Sequence, residues 1–195
     1  MQKPNSYEET QTGEFTPINL GGHTCIIKRV EETTSKTGKP MIKIAIDFDG
    51  NDSQPTYFMT SFQNDTREDK KWPYNGTKYI LSEDQDGKCS RSFKSFITSV
   101  EKSNNCECVW GDSFASWFTG KRVGVVFGEV EEEYNGEIKT RRKIRYFCQY
   151  DKAATADIPE KKLLNAGTGA STTTTQSGTP GFMNIPDGVM EEIPF

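Results

Sequence analysis

RVGVVFGEVEEEYNGEIKTRRKIRYFC, residues 122–148, is the stretch that most strongly determines the fold of this chain. Its centre, Asn135-Gly136, favours a two-residue β-hairpin turn, because both residues tolerate the positive φ angles that such a turn requires. The flanking segments are rich in β-branched and aromatic residues, which favour strands. The stretch therefore predicts a long hairpin whose strands cover residues 122–134 and 137–148.

A two-residue turn also predicts the register of this hairpin, since Tyr134 must then lie opposite Glu137 and successive side chains alternate between the two faces. One face is apolar and predicts a core side: Val123, Val125, Phe127, Ile144, Tyr146 and Cys148. The other face combines glycines and Phe147 with a row of cations: Lys139, Arg141, Lys143 and Arg145.

The row of cations is the main chemical feature of the sequence. Alternate strand residues repeat every ~6.6–6.8 Å, which is close to the phosphate spacing of an extended single-stranded nucleic acid. In the predicted register Lys139 faces Glu132, whereas the other three cations face apolar residues or glycine. The neighbouring glycines are expected to leave the backbone open to a close-lying ligand.

Three further strands are predicted upstream of the hairpin. Residues 23–32 and 40–47 read as the first two, the second with isoleucine at alternate positions. Residues 56–62 read as the third, followed by a short extended piece at 79–81.

Two helices are predicted between these strands and the hairpin. Ser90 or Ser92 can cap the first, whose apolar residues recur at helical spacing: Phe93, Phe96, Ile97 and Val100. The second is short, begins near Asp112 and ends at Gly120.

Three strands, a helical insertion and a two-stranded hairpin form the layout of the OB-fold, a five-stranded, partly open barrel. We therefore expect a mainly β protein of this fold, with an extended hairpin between strands four and five. A generic α+β sheet with the same elements is the alternative. The expected organisation is a flexible N-terminal arm (1–20), an OB-fold domain (21–164) and a disordered tail (165–195), because the tail is rich in Gly, Ser and Thr.

Composition excludes several functions. The net charge is −4, but the tail carries three acids and no bases, so the rest of the chain is near −1. The single histidine and the absence of phosphate-loop or nucleophile motifs argue against an enzyme, and we expect no cofactor and no metal. Five cysteines without a secretory pattern predict reduced thiols.

No apolar run reaches the ~20 residues of a membrane span, so we expect a cytoplasmic protein without a membrane partner.

Binding of single strands also needs flat side chains on which bases can stack. A loop of alternating bases and aromatics supplies candidates: Lys70, Lys71, Trp72 and Tyr74. Tyr57, Tyr134 and Phe147 are further candidates, and Lys36 and Lys39 lie in the loop between the first two strands. The alternative for Trp72 is that it folds back over the core beside Pro73.

The chain ends in a compact acidic and apolar tip: Glu191, Glu192, Ile193, Pro194 and Phe195. Such a tip is expected to place an apolar plug in a partner's pocket while basic residues on the pocket rim bind its acids. The tip closely resembles that of bacterial single-stranded-DNA-binding proteins. That resemblance implies recruitment of replication and recombination proteins, such as a helicase, primase, polymerase or recombinase.

Residues 20–150 also resemble the small single-stranded-DNA-binding proteins of bacteriophages that infect Gram-positive bacteria. The segments that carry the resemblance are Thr37–Met41, Val100–Asn104 and Gly120–Phe127. The resemblance implies an OB-fold that binds single-stranded DNA without catalysis. We expect such a chain to act in the host cytoplasm, and both a monomer and a homo-oligomer are open to it. The competing hypothesis is a replisome adaptor that binds proteins but not DNA.

Overall fold

The computed structural model describes residues 16–164. These form a mainly β structure around one antiparallel sheet in the order β3-β2-β1-β4-β5, open between its two edge strands. The strands are β1 (Gly21–Thr34), β2 (Pro40–Phe48), β3 (Thr77–Leu81), β4 (Arg122–Tyr134) and β5 (Glu137–Cys148). The helices are α1 (Tyr57–Gln63), α2 (Arg91–Asn104) and α3 (Phe114–Trp117). The prediction of a mainly β chain with five strands is confirmed.

The predicted third strand is wrong, because residues 57–63 form helix α1 and the third strand is β3. Phe58 and Phe62 are four residues apart, a spacing that fits one face of a strand or of a helix. The buried Asp47 decides between them: its Oδ1 accepts the backbone N–H groups of Phe58 at 3.0 Å and Met59 at 3.3 Å. A carboxylate at this position accepts hydrogen bonds from the free N–H groups of the first helical turn. Its negative charge also interacts favourably with the positive end of the helix dipole.

Replacing Asp47 with Ala should lower the free energy of unfolding by about 2 kcal/mol, since it leaves buried N–H groups at the start of α1 without acceptors. Chemical denaturation followed by circular dichroism measures the change. Asp69→Ala is the matched control, because that side chain is 93 % exposed and should change stability little. Equal stabilities of the two variants would contradict this role of Asp47.

The predicted helix after Ser90 is confirmed as α2. The Ser90 hydroxyl accepts the N–H of Phe93 at 3.2 Å and so caps the helix, while Asn105 ends it in the left-handed conformation. Its predicted apolar face is buried against the sheet, where Phe96 packs on Phe118 and Phe147.

Between residues 16 and 164 no helix combines the length and apolar character needed to cross a membrane.

The described part of the predicted N-terminal arm is attached to the sheet, so the expectation of a loose arm up to residue 20 is wrong there. Ile18 is buried in the core, and its carbonyl accepts a hydrogen bond from Arg142 of β5. Thr16 accepts the Tyr57 hydroxyl at 2.6 Å, and Pro17 accepts the Gln54 amide at 3.0 Å. The rest of the predicted arm, the predicted tail and the tip lie outside the described residues.

The hairpin follows the predicted register from the turn as far as the pair Phe127↔Ile144. A bulge at Arg145 then shifts the partners by one residue, so that Val126 lies opposite Tyr146. As a result Phe147 is buried in the core and Tyr146 is 44 % exposed, which reverses the predicted sides of these two residues. Phe147 is therefore not a surface on which a base can stack.

The glycine face of the hairpin is covered by the chain itself, contrary to the expectation that it is open to a ligand. A Cβ atom on Gly124 would lie 2.5 Å from the carbonyl oxygen of Gln149. One on Gly128 would lie 2.6 Å from the ring of Pro159. These glycines make room for residues 149–162, and Lys162 of that segment pairs with the edge of β4 beside Val130.

Candidate nucleic-acid interface

The distal part of the hairpin projects beyond the rest of the sheet. β1 pairs with β4 only as far as Gly21↔Phe127, whereas β4 and β5 continue together to the turn. We call residues 128–143 the ribbon. One face of the ribbon, together with the turn before β3, carries the side chains that we name the ribbon stripe: Tyr74, Glu132, Tyr134, Lys139, Arg141 and Lys143.

The ribbon stripe interleaves cations with exposed aromatic rings. Tyr134 is 52 % exposed, and the charged ends of Lys139 and Arg141 lie 5.3 Å and 5.6 Å from its ring centre. Tyr74 is 47 % exposed, and Lys143 Nζ lies 4.4 Å from its ring centre. Cations held at such distances are attracted by the ring faces, which orients both partners at the surface.

Glu132 partly neutralises these cations, so the expectation that Arg141 and Lys143 lack an acidic partner within the hairpin is wrong. Lys143 Nζ contacts one carboxylate oxygen of Glu132, and Arg141 Nε lies 3.8 Å from the other. Lys139 pairs with the exposed Glu137 at 3.2 Å rather than with the residue opposite. Three cations thus share two carboxylates, and the exposed pairs are weak enough to exchange for phosphate.

Arg145 lies on β5, two residues after Lys143, and its side chain interacts with carbonyl oxygens. Its guanidinium donates to Glu160 O at 2.7 Å and to Glu129 O at 3.4 Å. A carbonyl orients the guanidinium but does not cancel its charge. Arg145 therefore remains a cation beside the ribbon stripe, ordered by the segment that covers the glycine face.

The side chains of the loop before Tyr74 lie partly against the core and partly at the surface. Trp72 donates its indole N–H to Ile46 O at 3.1 Å and packs against Phe62, which confirms the alternative that it folds back over the core. Lys70 donates to Gln63 O at 3.2 Å, and Lys71 lies 3.9 Å from Asp69 at the surface. Of the aromatic residues in this loop, Tyr74 is the one that reaches the ribbon.

The other predicted residues lie away from the ribbon stripe. Lys36 and Lys39 flank the turn between β1 and β2, at the opposite end of β1 from the ribbon. Lys39 donates to Asp84 O at 3.1 Å. Tyr57 is on α1, where its hydroxyl binds the N-terminal segment.

Two features of the hairpin were not expected from the sequence. Glu132 acts on cations diagonally across the strands, and diagonal neighbours at j±2 could have indicated its contact with Arg141. The exposure of Tyr146 depends on the bulge, for which the sequence has no clear signal.

Among residues 16–164, no three or more His, Cys, Asp or Glu side chains come together in a way that could hold a metal ion.

Comparison with known proteins assigns no family to this chain. No protein-family model matches it, and a search of curated proteins finds no significant relative.

Proposed function

We propose that this protein binds single-stranded DNA without reading its sequence, through an OB-fold whose barrel is partly open. The five-stranded antiparallel sheet, open between β3 and β5, is compatible with such a barrel. Tyr74 from the turn before β3 contacts Lys143 of β5, so side chains bridge the two edges of the sheet. The proposed ligand lies along this junction and the ribbon.

The observation that carries the proposal is the ribbon stripe. Single-strand binding needs cations for phosphates and exposed rings for bases, and both occur together on this surface. Because Lys139 and Arg141 are about half exposed, their present contacts leave room for phosphate oxygens. Glu132 lowers the local positive charge, so the proposed affinity is moderate and strongly dependent on salt.

The proposal includes a separate role for the tip, Glu191–Phe195, as the element that recruits replication or recombination proteins to coated DNA. Its acids and apolar residues support this role through their chemistry, and the resemblance to bacterial single-stranded-DNA-binding proteins supports it further. The proposed setting is phage DNA replication and recombination in the host cytoplasm.

The second candidate is an adaptor that binds replisome proteins but not DNA. The pairing of Arg141 and Lys143 with Glu132 favours this candidate, because a neutralised surface attracts polyanions less strongly. Exposed apolar residues on the last described segment, Ile158, Leu163 and Leu164, offer contact area for a protein.

A titration with fluorescently labelled oligo-dT at low salt separates the two candidates. We expect saturable binding that weakens as salt increases, with a log–log slope of about −0.7 for each phosphate neutralised. Three to five contacts would give a slope between about −2 and −3.5. Duplex DNA of equal length is the control and should bind more weakly, because its bases cannot stack on tyrosine. No binding at low salt would favour the adaptor.

A further inference from the structure

The outer edge of β5 carries backbone groups that have no partner among residues 16–164. β5 is an edge strand of the sheet, and β4 is the strand that pairs with it. Because the hairpin has a two-residue turn, Tyr134 and Glu137 form a hydrogen-bonded pair, and successive residues of β5 then alternate between bonding to β4 and facing outward. The residues that face outward are Ile138, Thr140 and Arg142. Within the described part of the chain, no hydrogen bond from another segment reaches their backbone N–H or C=O groups.

The opposite side of the hairpin agrees with this alternation. Lys162 donates its N–H to the carbonyl of Glu129 at 2.9 Å and accepts the N–H of Glu131 at 2.8 Å, so these groups of β4 face away from β5. Glu129 and Glu131 lie opposite Arg142 and Thr140, whose backbone groups must then face away from β4. The chain itself therefore pairs with the outer edge of β4 at this level. We call residues 138–142 of β5, which have no such cover among residues 16–164, the open edge.

A surface cleft lies beside the open edge. It is lined by the apolar residues 17–18 of the N-terminal segment and by Thr140 and Arg142 of β5. Two of the lining residues, Arg141 and Arg142, are cations, and one, Glu129, is an acid. The cleft is therefore partly apolar and has a net positive charge, which favours an acidic ligand over a basic one.

An extended segment that paired with the open edge would have two chemically different faces. On the face of the ribbon stripe, its side chains would lie beside Lys139 and Arg141, which are 45 % and 40 % exposed. On the other face, they would lie beside the cleft and Ile138, which is 59 % exposed. Neighbouring strands are stabilised by opposite charges on the first face and by apolar or β-branched residues on the second. The open edge thus fits a strand in which acidic residues alternate with apolar ones.

A second copy of this chain is a poor occupant of the open edge. If two such edges paired antiparallel about Thr140, Lys139 of each copy would lie opposite Arg141 of the other. Pairing about either neighbouring residue would place that cation opposite its own copy. Like charges directly opposite each other are destabilising, and lysine on an edge strand is a common protection against association of two edges.

We propose that the open edge binds an extended acidic segment of a partner protein by antiparallel strand addition, and that the segment alternates acidic with apolar or β-branched residues. Donors and acceptors alternate along the edge, a pattern that a peptide backbone complements. A phosphate backbone offers acceptors alone and cannot pair with the C=O groups. The ligand of this edge is therefore a protein, and the inference does not depend on the binding of DNA to the ribbon stripe.

Fluorescence anisotropy of the full chain with a labelled peptide of alternating Glu and Val tests the proposal. We expect saturable binding, and none at the same concentrations when Lys replaces Glu in the peptide. In an antiparallel arrangement the valines bond to the open edge, so N-methylation of their backbone nitrogens should weaken binding by at least about tenfold. N-methylation of the glutamates is the matched control and should change binding little. No binding of the parent peptide would overturn the proposal. Equal binding of all three acidic peptides would also overturn it, because it would show attraction by charge alone.

Thr140→Pro is the informative variant, because it removes an outward N–H without removing a hydrogen bond to β4, and edge strands tolerate proline at such positions. This variant should lose peptide binding, whereas Thr140→Val, which keeps the N–H, should bind as the wild type does. Circular dichroism shows whether each variant is folded, and the N-methylated peptides decide the question on the wild type if Thr140→Pro is not.

Amide hydrogen exchange locates the bound peptide on the protein. In the free chain the amides of Ile138, Thr140 and Arg142 should exchange faster than those of Lys139 and Arg141, which bond to β4. Addition of the peptide should slow the exchange of the first three. Slow exchange of these amides without peptide would show that the chain itself or a second copy occupies the edge, and would overturn the proposal.

Discussion

Replacing Lys139, Arg141 and Lys143 together with Gln should weaken the binding of oligo-dT by about 100-fold at low salt. Each cation that neutralises a phosphate releases a counterion, so the log–log salt slope should also become less steep by about 2 in total. The loss is larger than for three isolated surface charges, because Glu132 loses both of its cationic partners and then repels the phosphates. Fluorescence anisotropy at several salt concentrations measures both quantities.

A charge-matched control separates the ribbon from the overall charge of the protein. Arg91, Lys94 and Lys102 lie on the exposed face of α2, and their replacement with Gln removes the same number of cations. This control should bind oligo-dT within about threefold of the wild type, since those charges lie outside the proposed site. Glu132→Gln provides a test of the opposite sign and should strengthen binding. Equal losses in the two triple variants would mean that the ribbon is not the interface.

Replacing Gly22 with Ala should lower the free energy of unfolding by about 3 kcal/mol, at the upper end of typical overpacking costs. The new Cβ would lie 1.8 Å from the carbonyl oxygen of Ala153 and 2.6 Å from its carbonyl carbon. Both are backbone atoms of the 3₁₀ turn Tyr150–Thr155, and a rotamer change cannot move them away. The variant must therefore displace this turn from β1.

Gly50→Ala is the control for this effect, because its Cβ would have nothing within 4 Å and its φ angle is not in the left-handed region. It should change stability by less than about 0.5 kcal/mol, or raise it slightly through the lower entropy of the unfolded chain. Urea denaturation of both variants measures the difference. A Gly22→Ala protein as stable as the wild type would show that the turn Tyr150–Thr155 does not pack against β1 at Gly22.

The site could be predicted in part. Lys139, Arg141 and Lys143 lie on one face as expected, because turn geometry and a period of two are sufficient to place them. The ion pair of Glu132 with Lys143 could not be predicted, since these residues are neither opposite nor diagonal neighbours in the register of the hairpin. The two aromatic residues of the loop lie in different places because each contacts a group that is distant in sequence. Trp72 donates to a carbonyl of β2 and packs inward, whereas Tyr74 accepts a hydrogen bond from Lys143 at the surface.

The amino-acid sequence alone determined the hairpin, its register near the turn, helix α2 and the mainly β character of the chain. These depend on local chemistry: an Asn-Gly turn, a serine cap and the periodicity of apolar residues along a few turns or strand positions. Only the tertiary structure decided that residues 57–63 are helical, that Phe147 is buried and Tyr146 exposed, and that residues 149–162 cover the glycine face. The first and the last of these depend on groups that are distant in sequence, such as the Asp47 carboxylate at the start of α1 or the Gln149 carbonyl against Gly124. Local preferences do not contain such contacts, because they exist only once the strands have come together.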